Sequence, residues 1–190
     1  MNRKFKKLRR YDEAGHAHSL TFTCFHGRPF LNRDRTRKWF CEAVAKAREK
    51  HRFLIWAYVV MPEHVHLLVC PAEREYDTAG FCASVKVAVG RRAVSWVKAN
   101  APDFLPRMTD AQPNGITNYR FWQRGGGHDR NVMEPRTLLH QINYIHANPV
   151  RRGLCERPAD WYWSSAADYD GRTDGPLALD LETLPEMPSD

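Results

Sequence analysis

Two histidines one residue apart, His64 and His66, stand inside the apolar run VVMPEHVHLLVC, Val59 to Cys70. On a strand, residues i and i+2 point to the same face, so the imidazoles project side by side while Val65 faces the other way. Such a pair can share one divalent metal ion; an unliganded pair in a strand is the simpler alternative. Further along, Tyr144 and Asn148 are four residues apart in a stretch with helical periodicity and so share one face. A tyrosine hydroxyl is a poor nucleophile at its free pKa of about 10, and needs an electrophile activated by another group. A metal held by His64, His66 and the amide oxygen of Asn148 would supply that activation by polarising a phosphate oxygen. Two imidazoles, one amide oxygen and open positions suit Mg2+ or Mn2+. The plainer alternatives are a core tyrosine and an asparagine that ends a helix before Pro149.

The elements that must position these groups follow from periodicity. HSLTFTCF (His18 to Phe25) alternates and reads as a strand closed by a turn at Gly27 to Pro29. A helix follows, capped by Asn32 or Asp34, with Phe40, Ala43, Val44 and Ala47 as its apolar stripe. FLIWAYVV (Phe53 to Val60) is a buried strand, and His64 to Cys70 is its hairpin partner. Thr78 to Asn100 returns to helical period, and residues 101 to 115, with three prolines, predict a long loop. NYRFWQRG (Asn118 to Gly125) reads as the fourth strand, stopped by three glycines. The next helix starts at Pro135 and stops near Ala147, because Pro149 cannot continue it.

That order, βαββαβ and a further helix, predicts the α+β class: a ferredoxin-like antiparallel sheet with helices on one face, the other open, and an additional C-terminal helix carrying Tyr144. After Asn148 the expectation is an irregular cap anchored by Trp161 and Trp163. One domain over residues 11–169, a basic arm over 1–10 and an acidic, flexible tail over 170–190 complete the expected organisation.

Charge is unevenly spread. The chain carries a formal +7, yet residues 170–190 hold six acids against Arg172 alone, a net −5, which leaves +12 on residues 1–169. Six of the first ten residues are Lys or Arg, as in an arm that follows a phosphate backbone; a solubilising tail is the alternative. Arg3, Lys4, Arg9, Arg10, Lys86, Arg124, Arg151 and Arg152 are candidate phosphate contacts, and Trp122, Trp161 or Trp163 could stack on unpaired bases or simply pack. The five cysteines show no Cys-x-x-Cys, which argues against a disulfide framework and a zinc knuckle. No apolar run approaches the roughly twenty residues of a membrane span, and the basic start lacks an apolar segment behind it. A cytoplasmic, nucleoid-associated protein with no membrane partner is expected.

Taken together, MPEHVHLLV, FWQRGGGHDRNV, YIHANPVRRGL and DWYWSS resemble the REP-associated tyrosine transposases, single-tyrosine transposases of the HUH endonuclease superfamily. The resemblance runs from about Tyr11 to Tyr169 and places the family's metal-binding histidines on His64 and His66. It places the nucleophile on Tyr144 and the polar ligand one turn later on Asn148. It implies an endonuclease and strand transferase acting on single-stranded DNA beside a hairpin of a palindromic repeat. The implied intermediate is a 5′-phosphotyrosine at Tyr144, with a free 3′-hydroxyl released. Gly126 and Gly127 stand where relatives often carry aromatic residues, which implies altered base recognition. Glu63 stands where a smaller polar residue is common, which implies altered charge at the metal. Three other readings compete: a domesticated, non-cutting DNA-binding protein, a metal-dependent phosphodiesterase using water, and a histidine-triad hydrolase. The last would want a third alternating histidine where Leu68 stands.

Overall fold

The computed structural model describes residues 12–112, 115–172 and 174–186. Its main sheet has four strands: β1 (Ala17–Thr23), β2 (Phe53–Val60), β3 (His64–Pro71) and β6 (His128–Val132), in the order β2-β3-β1-β6 with every neighbour antiparallel. The helices α1 (Asp34–His51) and α2 (Thr78–Asn100) cross over between these strands, as the expected βαββαβ order requires. They lie together on one face. There Leu20 and Phe22 of β1, Val65, Leu67 and Val69 of β3, and Phe40 and Phe81 of the helices form the larger core. Alternation does the sorting: β3 sends its odd residues into this core, which leaves the even ones, His64 and His66 included, on the opposite face.

That opposite face is not open. The helix α3 (Pro135–Arg151) lies over it and buries Leu138, Ile142 and Ile145 against Val59, Leu68 and Cys70. At Trp56 the β2–β3 register shifts, which lets Trp56 and Ala57 both join this second core. Burying side chains of this size contributes about 1.5–3 kcal/mol each, enough to fix the helix on the sheet.

Four further expectations from sequence are corrected. The fourth strand is His128–Val132 rather than Asn118–Gly125; Thr117–Tyr119 (β5) instead pairs with Thr109–Ala111 (β4) in a separate hairpin. Phe121 and Trp122 are buried because they pack under α1 and α2, so their apolar character marks core and not strand. Residues 102–108 are a 3-10 helix within the expected loop. The third correction is the end of α3, which runs through Pro149 to Arg151. Pro149 has no N–H for the Ile145 carbonyl, and the Asn148 side-chain amide reaches that carbonyl (3.4 Å) and the Tyr144 carbonyl (2.7 Å) in its place.

The acidic tail is the fourth. Over its described residues it is not a free chain but a strap along the outer edge of β2. Asp180 accepts a hydrogen bond from the Ile55 amide (2.7 Å), pairs with Arg48, and donates its own amide to the Ile55 carbonyl (3.0 Å). Trp56 Nε1 donates to Thr183 Oγ1 (2.8 Å), and Leu177 is buried in the larger core. Further up the same edge, Val60 and Tyr58 donate to the Trp163 carbonyl and Ser165 Oγ. An otherwise unpaired strand edge is thereby covered. The cap itself docks on α1: Trp163 Nε1 donates to Asp34 (3.0 Å), and the Arg37 guanidinium lies over Trp161 and Trp163.

Candidate functional site

His64 and His66 stand side by side on the α3 face, their ring centroids 4.9 Å apart. Each ring is oriented through Nδ1. The Nδ1 of His66 lies 2.8 Å from Thr21 Oγ1 on the neighbouring strand, and the Nδ1 of His64 lies 3.2 Å from the Glu63 carboxylate. With Nδ1–H donated to these oxygens, the lone pair of each ring resides on Nε2. Burial favours that neutral form: it holds His66 down to about 4, helped by the neighbouring His64 and His128, and lowers His64 despite the opposing charge of Glu63. Glu63 is itself held by Arg152 (2.9 Å).

The register explains the neighbours. Val59, His66, Thr21 and His128 form one cross-strand row through β2, β3, β1 and β6, so four side chains share one level of one face. The closeness of β6 depends on Gly127, whose φ is +81° and whose added Cβ would meet the Thr21 carbonyl at 2.3 Å. That steric fact accounts for a glycine at this position.

Tyr144 comes from α3 and is 44% exposed. Its ring meets His66 edge-on, centroids 5.5 Å apart, and the Arg151 guanidinium lies 5.4 Å from its centroid. Asn148 is buried one turn on, and its amide nitrogen is engaged with the Tyr144 carbonyl, so its oxygen is the atom left to act as a ligand. Among the described residues no three His, Cys, Asp or Glu side chains group closely enough to hold a metal.

Of the residues singled out from sequence, His64, His66, Tyr144, Arg151 and Arg152 converge here, and Asn148 stands one turn from Tyr144 on the same helix. Lys86 and Arg124 do not: Lys86 donates to the Gly125 carbonyl (2.7 Å), and Arg124 makes a two-pronged pair with Asp110 (2.8 and 2.9 Å). Arg3, Lys4, Arg9 and Arg10 lie outside the described residues. Trp122 and Trp163 are buried, so packing occupies them. Thr21 was not foreseen, since a threonine in a strand carries no signal until its cross-strand partner is known.

No family model matches the chain. A Haemophilus influenzae protein bearing the REP-associated tyrosine transposase name is 25% identical over 139 residues, 70% of this chain and 73% of that protein. An Escherichia coli K12 protein of the same name is 25% identical over 126 residues, 65% of this chain and 60% of its own length, so the match spans less than two thirds of it. The chain resembles the REP-associated tyrosine transposases. In fold, a solved REP-associated tyrosine transposase bound to a REP hairpin superposes with a TM-score of 0.65 at 19% identity, covering 98% of this chain and 95% of that one. The ferredoxin-like antiparallel sheet with its extra helix is thus also the architecture of a REP-associated tyrosine transposase. No helix among the described residues is long and apolar enough to cross a membrane.

Proposed function

We propose that the chain is a REP-associated tyrosine transposase: a metal-dependent nuclease and strand transferase that cuts single-stranded DNA beside a hairpin. The observation that carries this reading is the edge-on meeting of Tyr144 and His66, which puts an accessible phenol beside a buried, neutral imidazole with a second, partly buried one next to it. The donor set fits a hard divalent ion such as Mg2+ or Mn2+, which His64, His66 and the Asn148 oxygen would hold. When bound there, such an ion withdraws electron density from a phosphate oxygen.

The protein groups do the rest. The phenolic oxygen of Tyr144 forms a bond to phosphorus, the bond to the 3′-oxygen breaks, and that oxygen leaves as a 3′-hydroxyl after taking a proton. Tyr144 keeps the 5′-phosphate, and attack by a 3′-hydroxyl on this linkage reverses the step. Thr21 and Glu63 keep both Nε2 atoms directed to the site. Arg151, beside the phenol, favours the phosphate and the phenolate alike. Incubation with labelled single-stranded hairpin DNA tests the reading: a covalent protein–DNA adduct that withstands denaturant is expected, and cleavage without any adduct favours water attack. The water-using phosphodiesterase has no use for Tyr144, and the non-cutting binder has none for the oriented histidines.

A further inference from the structure

On the other face of the sheet, the segment 28–33, the start of α1, the end of α2 and the 3-10 helix Pro102–Met108 enclose a half-open cavity of about 990 Å³. Its walls hold four arginines, Arg28, Arg33, Arg35 and Arg107, and no carboxylate. Among the described residues none of the four forms an ion pair, and the one hydrogen bond from their guanidinium groups runs from Arg28 to the Arg107 carbonyl, which leaves the charges uncompensated. Like charges gathered without counter-charges repel, and the arrangement is relieved by an anion. Part of the remaining wall is aromatic: Phe30, Trp39, Trp96, Phe104 and Phe121. The Arg35 guanidinium carbon lies over Trp96, 3.5 Å from the ring centroid, and that of Arg107 lies 5.3 Å from the centroid of Phe104. Trp96 and Phe104 are only partly buried, so these cation–ring contacts border the open space.

We propose that this cavity is a second nucleic-acid site, which takes unpaired nucleotides of a single strand. A planar base stacks on the Arg35–Trp96 layer, and its phosphates lie among Arg28, Arg33 and Arg107. The inference rests on the reading of the chain as a single-strand DNA enzyme and adds where unpaired bases go. Position supports it. The cavity segment is bonded to the β2–β3 turn, Leu31 N to the Pro62 carbonyl (2.9 Å) and Cys24 N to the Glu63 carbonyl (2.8 Å). His64 follows that turn directly, so the cavity and the candidate cutting site share one end of the sheet on opposite faces. A strand passing round that end can occupy both. An acidic peptide would satisfy the arginines but leaves the stacking layer unused.

The test compares the full chain with Arg35→Ala/Arg107→Ala on a hairpin oligonucleotide with and without a short single-stranded extension. The expected result is at least about tenfold weaker binding of the extended hairpin by the double variant, with the blunt hairpin unaffected. A second measurement, independent of substitution, places 5-iodouracil in the extension and maps photocrosslinks on the unaltered chain; Trp96 or Phe104 is the expected target. Equal affinity of both proteins for the extended hairpin overturns the proposal, as do crosslinks confined to other regions. Displacement of the extension by polyglutamate at matched charge, as effective as by oligothymidylate, overturns it in favour of an acidic peptide. If the unaltered chain binds neither hairpin, the failure lies with the transposase reading itself.

Discussion

Tyr144 and His66 belong to different layers of the protein, yet their rings meet at 5.5 Å, edge to face at 76°. A tyrosine 44% exposed is not held there by core packing, because nearly half of its surface stays in water. What the contact does is set a phenol next to an imidazole whose other nitrogen is already taken by Thr21.

Removing one hydroxyl tests that placement. Tyr144→Phe keeps the ring, the charge and the histidines, so hairpin binding is expected to persist while cleavage falls by several orders of magnitude. Gel shift and cleavage assays on the same preparation separate the two, and a polymerase extending the upstream fragment reads its 3′-hydroxyl. Wild-type cleavage by this variant would falsify the nucleophile assignment. Tyr162→Phe and Tyr169→Phe serve as controls, although Tyr169 donates to the Trp56 carbonyl and its change costs about 1 kcal/mol of stability.

The proposed function makes cleavage depend on a metal held by the imidazoles. His66→Ala or excess chelator is expected to abolish cleavage and leave the circular dichroism spectrum intact. Thr21→Val removes only the oxygen that orients His66, and should weaken metal binding by about 10–100-fold with added metal restoring rate. Titrating Mn2+ against rate decides it; an unchanged half-saturation point would show Thr21 to be without influence on His66.

Acid should loosen the fold through buried histidines. His66 and His146 are both held near 4 by burial, whereas an unfolded histidine titrates at about 6.5. Between those values the unfolded chain binds more protons, so stability is full above about 6.5 and falls as pH drops toward 4, by at most about 3 kcal/mol for each histidine. Urea midpoints measured across that window check the sign. His146→Gln, which can keep a bond to Ser165, should flatten the dependence in part. The same burial moves acid inactivation of the histidine pair below the pH of about 6 that free imidazoles suggest.

The tail strap has a stability of its own to reveal. Asp180→Ala leaves the Ile55 amide and Arg48 without their carboxylate, and a destabilisation of about 1–3 kcal/mol is expected, with cleavage at saturating DNA unchanged. Thermal unfolding reads this directly; a shift of the midpoint within error would show the strap to be marginal.

How much of this was legible beforehand varies with how local the cause is. The βαββ start, the ends of α2 and the same-face pairing of His64 with His66 all follow from periods of 3.6 and 2, which a sequence displays openly. His128–Val132 was missed because an edge strand with four of its five residues outside the core shows little apolar alternation. Phe121 and Trp122 misled for the converse reason, being core residues of an irregular segment. Asp180 looked like solvated charge because its partners, Arg48 and Ile55, are more than a hundred residues away. The helix through Pro149 needed knowledge of what the Asn148 amide does for the carbonyls behind it.

Because the histidines ride on a strand and the tyrosine on a helix, the alignment of nucleophile and imidazoles is a property of the seam between them, where Leu138, Ile142 and Ile145 meet Val59 and Leu68. A methyl group lost from that seam changes no chemical group at the site, yet lets the helix rock and widens the spread of angles from which the phenol can approach. Such a protein would bind its hairpin as before and cut it erratically. If the chain cuts as proposed, fidelity of the cut is written into aliphatic packing, and natural variation in those three helix residues is a place to look for proteins tuned toward binding rather than cutting.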